Sequence, residues 1–353
     1  MKTALALLAL LAVSLHADTP PDNTSKLRPP GPADAGLPKV LAPADQTKVP
    51  GVPPDKSIPM SKLALIGDAN SAALPKPDRV LKLWEGQPPG DFTVPGPETL
   101  SGPKPTDKTP ISRLTNVAEP RLEFYLPAAE KKNGAAVVIV PGGGFGVLAS
   151  EHEGSDLALW FRERGFAAAV LQHRCPTNKL AKPWEFPAWD TQRAISLVRE
   201  KAADLGVQPD RVGLFGFSAG GQVAIIAATN DESRLYPAAD ATDKVSCRPD
   251  FLMLCYAWHI LADNSLTELK PEIHITEKTP PTFLAQAYDD KGSLAEGSTL
   301  AFLALRKAKV SAELHIYSTG GHGFGMRPND TQAPGDFPGR LELWLKARGL
   351  MAK

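Results

Sequence analysis

From Leu122 onward, apolar residues fall into two alternating textures. Short apolar runs predict strands at 122–126 (LEFYL), 135–140 (AAVVIV), 166–172 (FAAAVLQ), 211–216 (RVGLFG), 250–256 (DFLMLCY), 281–288 (PTFLAQAY) and 312–318 (AELHIYS). Between them, apolar positions recur at helical spacing over 154–165, 187–206, 219–230, 293–309 and 339–349. The helix over 187–206 places Ile195, Val198 and Ala202 on one face and stops at Gly206. A strand that is apolar at successive positions has both faces covered. Alternation of such strands with helices therefore predicts an α/β class fold, with a mostly parallel central sheet and helices on both faces.

Before Arg79 the texture is different. Met1-Lys2 and the apolar run at 4–15 predict a secretory signal over residues 1–17, cut near Ala17. An anchor that stays attached is the alternative for the same run. Residues 18–77 are rich in Pro, Ala, Asp and Lys without lasting periodicity, which reads as a linker or tail, with the apolar island KLALIG at 62–67 unassigned. Residues 78–353 are then expected to form the folded domain, entered through RVLKLWEG, a first short strand or arm.

Composition narrows the partners. Lys+Arg and Asp+Glu both number 39, so neither nucleic acid nor an anionic membrane surface is favoured. The three cysteines, Cys175, Cys247 and Cys255, allow at most one internal pair. Cys255 reads as a buried small hydrophobe. No CxxC and no His/Cys cluster points to a metal.

The chemistry concentrates at GFSAGG, residues 216–221, which connects the strand RVGLF directly to a helix. So tight a turn needs small residues at Gly216 and Gly220, and it lifts the hydroxyl of Ser218 above the sheet beside free helix N–H groups. A serine becomes nucleophilic only when a base takes its proton. Of the seven histidines, His322 sits in a glycine-rich loop, STGGHGFG, just after the last strand, where a base can reach the serine. His173 and His315 read as structural. The base needs an orienting acid, and Asp289 and Asp290 both follow the preceding strand; Asp290 is preferred. The glycine run PGGGFG at 141–146 offers Gly143 and Gly144 as backbone donors to an oxyanion, joined by Ala219 after the serine. That run lacks the spacing of a dinucleotide loop and the lysine of a phosphate loop.

With LWEG, PGGGF, HEG (152–154), DTQRAISLVR (190–199), GFSAGG, TPPTFLAQAYDD and GGHGFG in place, the sequence resembles the α/β-hydrolases, and within them the secreted bacterial esterases grouped with acetyl xylan esterases. The resemblance spans about residues 80–350. It departs at Pro141, where many relatives carry His, and after Asp290, where Lys291-Gly292-Ser293 follows. It implies a serine esterase with Ser218, Asp290 and His322 as triad, without metal or cofactor, acting on short-chain esters such as those of acetylated xylan. Phe145, Phe217, Trp258 and Phe324, each beside a motif, are the substrate-lining candidates, with Trp184 a further one. His152-Glu153 is expected to brace the oxyanion loop. The excursion at 257–280 is too short for a lipase-type lid, so an open site for small acyl groups is expected. A prolyl-oligopeptidase-type peptidase, a lipase and an inactive carbohydrate-binding relative are the alternatives.

Overall fold

The apolar runs become buried strands because helices cover both of their faces. In the computed structural model, residues 74–351 are described, apart from 106, 108–110, 232 and 327–332. The signal reading of 1–17, the island at 62–67 and the Pro-rich segment up to residue 73 lie outside the described residues.

The strands are β1 (Arg79–Lys82), β2 (Thr99–Ser101), β3 (Arg113–Thr115), β4 (Arg121–Tyr125), β5 (Ala136–Val140), β6 (Ala167–Gln172), β7 (Val212–Phe217), β8 (Phe251–Cys255), β9 (Thr282–Ala287) and β10 (Ala312–Tyr317). Eight of them form one sheet in the order β1-β4-β6-β5-β7-β8-β9-β10. The sheet is parallel from β6 to β10, and β4 and β1 join antiparallel at one edge. The RVLKLWEG arm thus supplies the edge strand. The β2–β3 ribbon is separate and was not foreseen, because its short, half-exposed strands carry no apolar run.

The helices are α1 (Asp156–Glu163), α2 (Glu185–Glu200), α3 (Ala202–Leu205), α4 (Ser218–Thr229), α5 (Ala295–Lys307) and α6 (Phe337–Ala347). One core layer joins α2, α4 and α5 to the sheet through Ile195, Val198, Val223, Ile226 and Leu305. The opposite layer uses Leu157 and Phe161 of α1 with Leu341, Trp344 and Leu345 of α6. Each fully buried side chain of this kind contributes roughly 1.5–3 kcal/mol. All residues of α4 are buried, as a helix at the centre of a domain requires.

Two predicted helices differ at their ends. A π-helical turn, Glu151–Ser155, precedes α1, so the polypeptide starts coiling before the apolar stripe begins. The 187–206 helix starts earlier, at Glu185, and breaks at Lys201. Asp190 and Arg193 therefore sit inside α2. Both are buried. Asp190 pairs with Arg174 at 2.9 Å, with both side chains fully shielded, and accepts the Trp84 indole N–H at 3.2 Å. Arg193 binds Asp240, Asp243 and the carbonyl of Leu83. These bonds fasten the LWEG arm to α2. Removing one member of the Arg174–Asp190 pair would strand a buried charge, at a cost of about 3–5 kcal/mol.

All three cysteines are buried and unpaired, so Cys247 and Cys255 form no bridge. Burial pushes the Cys175 thiol up to about 12, out of the range of a reactive thiolate. Among the described residues, no helix is long and apolar enough to cross a membrane.

The sheet order sets the position of the site. The chain leaves β5 toward β6 on one side, and returns through α2 to β7 on the other. The strand order therefore reverses between β5 and β7, and the register aligns Val140 with Gly216. A crevice opens above the carboxyl ends of strands at such a reversal.

Candidate active site

Ser218 stands at that crevice, between β7 and α4, with φ +49°. This left-handed backbone is uncommon for a residue with a side chain and persists only when surrounding structure imposes it. Here the imposition is steric. A Cβ on Gly216 would meet the Gly220 carbonyl oxygen at 2.4 Å, and one on Gly220 would meet the Val140 carbonyl oxygen at 2.1 Å. Strand, turn and helix are in backbone contact, and glycine alone permits it.

The last strand, β10, delivers His322 from the opposite side. Its loop carries positive φ at Gly320, Gly321, Gly323 and Gly325, which turns the chain back over the sheet. The Ser218 Oγ to His322 Nε2 distance is 2.8 Å. On the far side of the ring, Nδ1 lies 2.8 Å from Asp290 Oδ2. Asp290 is buried, and its Oδ1 accepts the N–H groups of Gly292 and Ser293. The Gln286 amide reaches its Oδ2 at 3.3 Å and donates to the Ser293 carbonyl at 2.7 Å. Asp289 is exposed and instead accepts the N–H of Gly321 at 2.7 Å. It braces the histidine loop and does not cap the next helix. Of the two candidates, Asp290 is the one brought to His322.

The charges follow from these contacts. Burial raises the Asp290 pKa, but the His322 hydrogen bond and the Ser293 and Gly292 N–H groups outweigh it, so the carboxyl titrates below its usual range. Burial pulls the His322 imidazole down, but the Asp290 hydrogen bond and charge, with a smaller contribution from Glu153, leave it above its ordinary value. The imidazole side chain keeps 35% exposure, which leaves an approach from solvent.

The glycine loop after β5 faces the serine. Gly143 and Gly144 hold φ of +128° and +61°. A Cβ on Gly142 would lie 2.6 Å from the Ser218 Cβ, so the loop backbone passes directly beside the nucleophile position. The Gly142 N–H is already committed, at 2.8 Å, to the buried carboxylate of Glu153. The donors that remain for an oxyanion on this loop begin at Gly143. The N–H of Ala219 belongs to the first turn of α4, where no helical carbonyl accepts it.

Glu153 has a second partner that sequence reasoning missed. The Tyr256 hydroxyl donates to Glu153 Oε1 at 3.0 Å and accepts the Gly325 N–H at 3.0 Å. The Tyr256 ring also packs edge-on against His322, with centroids 5.1 Å apart. One tyrosine thus ties the glycine loop, through Glu153, to the histidine loop. Its only sequence signal is a polar-tipped aromatic at the end of the buried run DFLMLCY.

The aromatic candidates divide. Phe145, at φ +61°, is itself buried in the core, and the half-buried Trp258 packs near it beside the glycine loop, with centroids 6.1 Å apart. The backbone N–H of Trp258 donates to the Ser218 carbonyl at 2.8 Å. Phe217 and Phe324 do not line the site. Phe217 is fully buried and stacks on Phe215 at 4.6 Å, because the two are alternate residues of β7 and share a face. Phe324 packs against Tyr256 and Phe337 in the same layer. Trp184 is likewise buried, in the other layer. His173 binds the Arg174 and Pro141 carbonyls, and His315 pairs with Glu313, which accords with structural roles.

Comparison with known proteins places this geometry among esterases. The BD-FAE family model matches residues 122–251. An acetylxylan esterase of Xylanibacter ruminicola is 28% identical over 226 residues, covering 60% of this chain and 45% of that protein. An endo-1,4-beta-xylanase B of Butyrivibrio fibrisolvens is 28% identical over 221 residues, covering 58% of this chain and 34% of its own length. The chain thus spans less than half the length of the curated relatives it matches. An acetyl ester-xyloside bifunctional hydrolase from Caldicellulosiruptor lactoaceticus superposes with a TM-score of 0.62 at 30% identity, covering 80% of this chain and all of that one (100%). Esterase 2 of Thermogutta terrifontis, with propionate bound, shares the fold at a TM-score of 0.57 and 22% identity, covering 72% of this chain and 96% of its own.

Proposed function

We propose, from the premise that this chain belongs to the α/β-hydrolase family of carboxylic ester hydrolases, that it is an exported serine esterase. It removes short acyl groups, acetyl above all, from polysaccharide such as acetylated xylan. The observation that carries the reading is the continuous relay Ser218–His322–Asp290, both links 2.8 Å, beside a glycine loop. Names of the relatives support the acetyl and xylan parts, and the apolar run behind Met1-Lys2 supports export.

In this mechanism His322 Nε2 takes the Ser218 proton as Oγ attacks the ester carbonyl. Asp290 accepts the Nδ1–H and steadies the imidazolium. The N–H groups of Gly143, Gly144 and Ala219 receive the oxyanion; each such donor is worth about 2.7–4 kcal/mol in the transition state. The C–O bond to the alcohol breaks as His322 returns the proton to the leaving oxygen. Water, deprotonated by the same histidine, then cleaves the Ser218 acyl ester and releases the acid.

The test is acetate release from acetylated xylan, measured beside p-nitrophenyl acetate and p-nitrophenyl octanoate. Release from xylan, with acetate preferred over octanoate, is expected. Faster turnover of octanoate would favour a lipase, and faster turnover of a peptide substrate would favour a peptidase.

The Glu153–Tyr256 link has its own expected signature. Base catalysis requires neutral His322, so kcat/KM rises with pH through the imidazole pKa of the free enzyme. That midpoint lies above the ordinary value because negative charge favours the imidazolium. Glu153→Gln keeps an acceptor for the Gly142 N–H but removes the charge, so the midpoint moves to lower pH. Tyr256→Phe removes the tie to the Gly325 N–H but keeps the Glu153 charge, so the midpoint stays. Both lower kcat by roughly tenfold, the equivalent of about 1.4 kcal/mol on the barrier, through looser placement of the two loops. A pH–rate profile of each variant checks both statements.

A further inference from the structure

Beside the triad lies a cleft of about 550 Å³, a volume typical of small-molecule sites. Its walls come from the segments that follow β8 and β9. One end adjoins the residues of the site. A Cβ on Gly292, in the cleft wall, would lie 3.4 Å from both Asp290 Oδ1 and His322 Cγ, so this wall backs the acid and the histidine. Ala257, also in the wall, packs against Gly221 in the first turn of α4.

The direction of the proposed reaction distinguishes this side from the other. The oxyanion donors follow β5, on one flank of β7; the cleft lies past β8 and β9, on the opposite flank. The leaving oxygen must receive its proton from His322, so the alcohol departs on the histidine side. The cleft wall packs against that histidine at Gly292.

Its lining is amphipathic. Asp263 and Lys291 supply charge and His259 hydrogen-bonding capacity, whereas Leu266 and Leu294 present 56% and 42% of their surface to solvent. A pyranose ring has the same division, with hydroxyl groups at its rim and C–H groups on its faces. An alkyl alcohol would leave the polar groups unmatched. The wall is also built in advance. The Ala262 N–H binds the Glu268 carbonyl and the Lys270 N–H binds the Ile260 carbonyl, both at 2.9 Å, and the Lys270 ammonium holds Asp263 at 2.7 Å.

We propose that this cleft is the subsite for the leaving alcohol and that it receives a sugar ring of the acetylated chain, a placement that rests on the ester hydrolysis proposed above. The test uses the full-length protein and the double variant Leu266→Ser/Lys291→Ala, whose side chains lie outside the triad and the oxyanion loop. Kinetics are measured on p-nitrophenyl acetate and on an acetylated xylo-oligosaccharide. In the variant, KM for the oligosaccharide is expected to rise roughly fivefold with kcat little changed, the pattern of lost uniform binding. Its kcat/KM for p-nitrophenyl acetate, whose leaving group is much smaller than a sugar chain, is expected to fall clearly less than that for the oligosaccharide. A second measurement needs no variant: unacetylated xylotriose inhibits the wild type competitively against the oligosaccharide substrate.

Parallel loss on both substrates, or no change on either, would overturn the subsite, as would absence of inhibition by xylotriose. Wild-type protein that cleaves p-nitrophenyl acetate but no sugar acetate would overturn the sugar assignment and leave the esterase chemistry standing. Wild-type protein inert to both would remove the esterase reading and the subsite with it.

Discussion

Ser218→Ala is expected to lower kcat on p-nitrophenyl acetate by roughly 10⁴–10⁶ while the protein stays folded. The substitution removes only Oγ, the atom 2.8 Å from His322 Nε2. It leaves the glycine contacts at 216 and 220 that shape the turn, and alanine has no new bulk to place at φ +49°. Residual hydrolysis would come from the oxyanion donors and binding alone, which in serine hydrolases still exceeds the uncatalysed reaction. A fluorophosphonate probe should label the wild type at Ser218 and leave the variant unlabelled. Thermal melting of the variant should match the wild type. An equal rate in both proteins, or an unlabelled wild type, would return the inactive carbohydrate-binding alternative to first place.

The elbow was legible in the sequence because its constraint is steric and local. Gly216 and Gly220 are glycine since backbone atoms lie within 2.4 Å of where their Cβ would be, and that demand is visible as GxSxG between an apolar run and a helix. The sheet was legible for a similar reason: strands covered on both faces, such as AVVIV in β5, cannot afford polar residues. The β2–β3 ribbon escaped because its strands are 3 residues each, too short for their polar–apolar–polar alternation to stand out.

The aromatic candidates show where proximity in sequence fails. Phe217 adjoins Ser218 along the chain, but a strand alternates its faces, so Phe217 follows Phe215 into the core. Applying the period of β7 to its last residue would have excluded Phe217 beforehand. Tyr256 escaped for the converse reason. It lies 38 positions from Ser218 and 69 from Gly325, and only the sheet order brings its hydroxyl between Glu153 and the histidine loop. The bracing role of Glu153 was legible, since HEG follows the glycine loop closely; its partner was not.

Asp290→Asn is the second large effect, an expected loss of about 10⁴ in kcat. The carboxylate accepts the Nδ1–H of His322, which leaves Nε2 with its lone pair toward Ser218. An asparagine here must still satisfy the Gly292 and Ser293 N–H groups, now bound to Oδ1. Its carbonyl oxygen stays with those two donors, so its amide NH₂ faces His322 and donates. Nδ1 then becomes the acceptor and the ring proton moves to Nε2, the tautomer that cannot take a proton from serine. Loss of the negative charge also lowers the imidazole pKa, so the acid limb of kcat/KM shifts to lower pH. Asp289→Asn is the control on the neighbouring residue. Its oxygen can still accept the Gly321 N–H, so kcat should change by less than about threefold. Measuring the two variants side by side decides between the adjacent carboxylates. If Asp289→Asn gave the larger loss, the histidine loop in the working enzyme would have to hold His322 against the exposed carboxylate rather than the buried one.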